Sequence, residues 1–159
     1  MARYWTLVLA FGVLALPAAA REPSGFGDRG WVAFRSEALL PLAGGDIVVG
    51  ERRAGGVHLR RLAPDGADRG LLPTGPLFPC RPAKCGRLVL AVDARGRVLV
   101  AGGSYVARVL PSGRRDLTFG ERGVAILPSF VPVTGIARAG SGEVWVAGPG
   151  RLGRLRVDG

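Results

Sequence analysis

The stretch Val98-Leu99-Val100-Ala101-Gly102-Gly103-Ser104-Tyr105-Val106-Ala107-Arg108-Val109-Leu110-Pro111-Ser112-Gly113 carries the reading of the whole chain. It opens on a continuously apolar, β-branched run, as in a strand covered on both faces. Gly102-Gly103 turns the chain into a second run, Tyr105 to Leu110, and Pro111-Ser112-Gly113 turns it out again. Related apolar runs lie on either side, as Ile47-Val48-Val49-Gly50 and Val144-Trp145-Val146-Ala147-Gly148. The turn recurs as Leu62-Ala63-Pro64-Asp65-Gly66 and Leu155-Arg156-Val157-Asp158-Gly159, and the three terminal glycines are 47 and 46 residues apart. A third element, Phe26-Gly27-Asp28-Arg29-Gly30, returns as Phe119-Gly120-Glu121-Arg122-Gly123, 93 residues later and so at twice the same period. Its middle copy falls near Leu71 to Gly75, where the pattern has decayed. Three independent markers on one period define a repeat.

Each unit reads as short strands separated by turns, with Val124 to Leu127 and Val133 to Ala137 supplying two more. About four strands per 46 residues match a β-propeller blade better than a solenoid coil. The expected fold is therefore all-β, with three propeller-type blades at roughly residues 33–75, 86–127 and 133–159 and a closing strand at 24–32. The first unit is longer: Gly50 to Gly66 spans 16 residues, against 11 in the other two, and the surplus in Glu51-Arg52-Arg53-Ala54-Gly55-Gly56 reads as a longer hairpin loop. Turns account for much of the 26 Gly and 12 Pro, which argues against both disorder and a helical bundle.

The strings Val98 to Gly103, Ala107 to Gly113 and Asp116-Leu117-Thr118-Phe119-Gly120 resemble the delta-60 repeat of bacterial exported proteins. The second unit matches nearly throughout and the third up to Gly159; the first keeps Arg61 and Pro64-Asp65-Gly66 but lacks Phe-Gly. The resemblance implies propeller-like blades and export, and it carries no catalytic residue.

Export is also read from the first 20 residues: Arg3, an apolar run from Tyr4 to Leu16, Pro17, then Ala18-Ala19-Ala20 as a cleavage pattern. The run is about 13 residues, too short to span a bilayer comfortably. A mature chain from Arg21, secreted or periplasmic and without a membrane span, is expected. In an oxidising compartment Cys80 and Cys85 are expected to close a small local disulfide loop. Their spacing is not that of a catalytic C-x-x-C dithiol. The net charge is +10, almost all of it arginine, and the basic residues are scattered in pairs such as Arg52-Arg53, Arg60-Arg61 and Arg114-Arg115. A nucleic-acid surface wants clustering and interleaved aromatics, so no specific nucleic acid is expected.

Counting back five residues from each turn glycine gives Arg61, Arg108 and Arg154, one per unit. Strand alternation sets each beside Leu59, Val106 or Leu152. Such a ring suits an anion, but ion pairing with a turn carboxylate such as Asp68 or Asp116, a structural role, is the expected one. Asp65 and Asp158 precede turn glycines, where Asp bonds its own backbone. Trp31 and Trp145 read as blade-packing residues. One His and two Cys argue against zinc sites. His58 has no recognisable catalytic partner, and no catalytic, metal or cofactor-binding residue is assigned.

The expectation is a binding or scaffolding module rather than an enzyme. The rivals are a propeller-class lyase, lactonase or glycan hydrolase, for which Glu37, Asp46, Asp93 and Glu143 would have to cluster, and a basic adhesin for anionic envelope polymers. Because three blades are fewer than the usual four to eight, and Gly159 falls where another Phe-Gly element is due, self-association of two chains into a six-bladed ring is expected, ahead of an open arc or a truncated product.

Overall fold

Runs of three to seven residues between glycine-bearing turns fold as antiparallel strands, eleven among the described residues. The structure, a computed structural model, describes residues 32–33, 36–80, 85–129, 132–139 and 143–156. The expected leader, the expected closing strand up to Trp31, and Asp158 lie outside them. The strands are β1 (Ala38–Pro41), β2 (Ile47–Arg53), β3 (Gly56–Leu62), β4 (Asp68–Leu71), β5 (Val89–Val92), β6 (Val98–Gly102), β7 (Tyr105–Val109), β8 (Val124–Ile126), β9 (Gly135–Arg138), β10 (Val144–Gly148) and β11 (Arg151–Leu155). They form three up-and-down sheets, β1-β2-β3-β4, β5-β6-β7-β8 and β9-β10-β11. The described part of the chain is all-β. No helix in it is long and apolar enough to cross a membrane.

One turn recurs four times, in three hairpins and at the end of β7, where Val109 bridges Arg115. In Leu42–Asp46, Ala63–Ala67, Asp93–Arg97 and Leu110–Arg114 the first N–H donates to the fifth carbonyl and the fourth N–H to the first carbonyl. The fourth residue is always glycine, Gly45, Gly66, Gly96 or Gly113, at φ of 83°, 84°, 72° and 82°. A tight turn closed by a left-handed glycine joins strands without splaying them. The surplus of the first unit is not a longer loop, contrary to the sequence reading. β2 and β3 are each seven residues long and pair as far as Arg53 with Gly56, so the strands grew and the turn stayed tight. Where the repeat decays, Leu72 N–H still donates to Leu59 and Leu77 N–H to Val57, while Val57 N–H donates to Phe78, so the irregular segment after β4 remains tied to β3.

The sheets stack face to face, and the first strands lie side by side, β1 on β5 and β5 on β9. Each sheet repeats one register: Val48 opposes Arg61, Leu99 opposes Arg108 and Trp145 opposes Arg154. Two cores follow from strand alternation. Val48, Val57 and Leu59 of the first sheet meet Val98, Val100, Ala107 and Val109 of the second. The other face of the second sheet, Leu99, Ala101 and Val106, meets Val144, Val146 and Leu155 of the third. Every residue of β6 is buried, as its unbroken apolar run requires. Phe119 is fully buried in the second core, which explains the Phe-Gly element. Gly120 follows at φ 52°, where a Cβ would stand 2.4 Å from the Val124 carbonyl oxygen. Cys80 and Cys85 are at disulfide distance, S–S 2.21 Å. The Cys85 carbonyl accepts from Gly103 N–H, which ties that loop to the β6–β7 turn.

Candidate functional site

The turns at one end of the stack enclose a cleft of about 440 Å³. Leu42 to Gly44 of the first sheet form one side, and Asp93, Ala94 and Gly96 with Pro111 of the second form the other. Val48, Leu72 and Val98 supply apolar wall, and the cleft carries two cations, Arg61 and Arg138.

Arg61 is aimed by its own hairpin. Its Nε donates to Asp46 Oδ2 at 2.5 Å, and Asp46 sits two residues before Val48, the residue Arg61 opposes. This holds the guanidinium by one edge, and its terminal nitrogens make no hydrogen bond to a described residue. Arg138, at the end of β9, is exposed and forms no ion pair among the described residues. A guanidinium fixed at Nε presents two parallel donors, the geometry that binds carboxylate or phosphate.

The three repeated arginines share a register and not an environment. Arg108 is buried, donates from Nε to Asp116 Oδ2 at 2.8 Å, and lies 4.5 Å from the Phe119 ring centroid. Arg154 is 57% exposed and reaches Glu143 at 2.9 Å. Of the three, only Arg61 lines the cleft. Its acid also differs from the one expected: Asp68 goes to Arg60, while Arg61 takes Asp46. The acid at the Asp46 position recurs as Glu143 in the third sheet, but in the second it is Arg97. That substitution builds a longer network. Arg97 Nε meets Asp93 Oδ2 at 2.6 Å and Arg97 Nη1 lies 3.5 Å from Asp116 Oδ2. Burial pushes the Asp116 carboxyl up, yet hydrogen bonds from Thr118 and the Arg108 charge bring it below the usual range. Burial, with Arg97 close by, lowers Arg108 from its ordinary value. Asp93 also caps its own turn, accepting from the backbone N–H of Arg95 and Arg97, so the network stiffens the cleft wall that Asp93 forms.

A second basin, open and about 950 Å³, lies on the far face of the first sheet. Glu51 is buried there and accepts from Arg53 at 2.8 Å and Arg60 at 2.6 Å. Burial raises the Glu51 carboxyl, and the hydrogen bonds from Arg60 and Arg53 more than reverse this. The Asp68 carboxyl is lowered by its bond from Arg60. His58 opposes Glu51 across the strands, and its buried Nε2 has no hydrogen-bond partner among the described residues.

The acids whose convergence an enzyme would need stand on separate arginines: Glu37 with Arg52, Asp46 with Arg61, Asp93 with Arg97 and Glu143 with Arg154. No group of three metal-ligating side chains occurs among the described residues. Asp65 has the turn role read for it, accepting from Ala67 N–H at 2.9 Å. Trp145 does not pack inside the stack, against expectation, and is 37% exposed. Sequence reasoning missed Arg138. The signal is an arginine at the end of a first strand, where the equivalent positions hold Pro41 and Val92.

Comparison with family models, with curated proteins and with solved structures finds no match to this chain.

Proposed function

We propose that this chain is an exported repeat protein of propeller-like blades and acts as a binding module. Its ligand is a small molecule with an apolar body and an anionic head, seated in the cleft between the turn ends. The observation that carries this reading is Arg61, held at Nε by Asp46 with its terminal nitrogens unbonded to any described residue, beside apolar walls and Arg138. Export is supported by the leader-like start and by the cysteine pair at disulfide distance. Blade architecture is supported by the shared register, the adjacent first strands and the resemblance to the delta-60 repeat. Scaffolding through self-association belongs to the same reading.

The test is calorimetric titration with medium-chain alkyl carboxylates and alkyl phosphates. Binding is expected, and Arg61→Ala and Arg138→Ala each weaken it about tenfold or more, the scale of a charged hydrogen bond. Wild-type protein that takes up none of these anions rejects the reading. The net charge of +10 favours one rival, a basic adhesin for anionic polymers. That rival predicts polyanion binding that fades with salt and survives both substitutions.

A further inference from the structure

The three-sheet stack has two ends, and both carry the signature of an interior face. At its third-sheet end, the row Ala137–Trp145–Arg154 is the register copy of Ala91–Leu99–Arg108 in the second sheet. Beside it, Ala147 opposes Leu152 as Ala101 opposes Val106 and Gly50 opposes Leu59. In the first two sheets this face is the contact with the next sheet, and Leu59, Leu99 and Val106 are buried to within 1%. In the third sheet, Trp145 is 37% and Leu152 69% exposed.

The first-sheet end shows the complement. The row Leu39–Val49–Arg60–Leu71 crosses all four strands and copies Leu90–Val100–Ala107–Val124, the row that the second sheet packs against the first. Val49 is buried at its centre, while Leu39 is 62% and Leu71 41% exposed at its ends. The basin of about 950 Å³ opens beside this row, with Arg60 in its lining. Four of the six large apolar side chains exposed among the described residues therefore lie on these two faces.

We propose that a second copy of this chain covers both faces. The open face of the third sheet, Trp145 and Leu152, packs on the Leu39–Leu71 row of the partner's first sheet, and the same contact made in return closes a two-fold ring of six sheets. The new junction continues the front-to-back stacking that already joins the sheets within one chain, which is why a second copy is the occupant. Trp145 meets a row carrying Arg60, so that an aromatic ring comes against a guanidinium across the new junction. A closed arrangement uses each face once and leaves none for open-ended growth. The proposal deepens the scaffolding part of the function above and does not depend on the cleft.

The experiment is light scattering after size exclusion on protein produced from the full reading frame, with a photo-cross-linking residue at position 152 in a parallel sample. The expected results are a dimer and a cross-link into the peptides bearing Leu39 or Leu71. Leu152→Glu and Leu39→Glu each weaken dimerisation at least tenfold with unchanged circular dichroism, and mixing the two variants restores association through the one intact junction. A monomer at 100 µM on the order of typical assay concentrations, open-ended polymers, or a cross-link from 152 into the partner's 144–155 segment overturns the proposal. Anion titration of Leu152→Glu separates the two readings: lost dimerisation with retained binding leaves the cleft standing, and lost binding with a retained dimer does the opposite.

Discussion

Arg108 donates its Nε proton to Asp116 Oδ2 at 2.8 Å, with both side chains almost wholly withdrawn from solvent. The pair joins β7 to the segment that leads to Phe119, and Arg97 reaches the same carboxylate from β6's approach. A buried pair of this kind adds little over an apolar replacement, but losing one partner strands the other charge in a low dielectric. Asp116→Ala therefore costs about 3–5 kcal/mol, read as a shift in urea midpoint at constant slope. A loss under about 1 kcal/mol would show that water reaches Arg108.

Acid should unfold this protein through Asp116 and Glu51. Both carboxyls are held below their ordinary values of 3.8 and 4.5. The unfolded chain then binds more protons than the folded one as pH falls. Stability is complete above the unfolded values and is lost as pH drops through the lowered folded ones, a window of about pH 5 to pH 2. Denaturation midpoints across that range should decline, and the decline should be shallower in Asp116→Asn. An equal slope in that variant would assign the acid sensitivity elsewhere.

The Phe-Gly element owes its glycine to backbone contact. Gly120 is at φ 52° and a Cβ there would press on Val124 oxygen at 2.4 Å, in the bend that leads into β8. Gly120→Ala is expected to cost about 1–3 kcal/mol or more, from strain at a left-handed position and displacement of β8. Hydrogen exchange should show the loss first at Val124 to Ile126. Uniform exchange changes across the three sheets would contradict a local cause.

Much of the architecture was legible because period and alternation are local properties. The apolar run Val98 to Gly102 announced a strand covered on both faces, and it is buried throughout. The glycine-terminated turns fixed where hairpins reverse. The cleft was legible only in part. Arg61 stood out as a repeated residue, but Arg138 breaks the repeat and becomes visible only when the first strands are laid side by side. The misread surplus at Glu51–Gly56 has a physical cause. Two added residues on each side of a tight turn lengthen both strands in register, and composition alone does not distinguish that from a loop.

By itself, the sequence determined the all-β class, the repeat of about 46 residues, the hairpin turns and the cysteine pairing. These depend on side-chain alternation and on backbone angles that glycine alone takes readily, both set within a few residues. Tertiary structure alone decided what each repeated residue does. Arg61, Arg108 and Arg154 hold one register position, yet one lines a cleft, one is buried against Phe119 and one faces solvent. Their difference lies in which sheet packs over each, and stacking order is a property of the whole chain that no local pattern encodes.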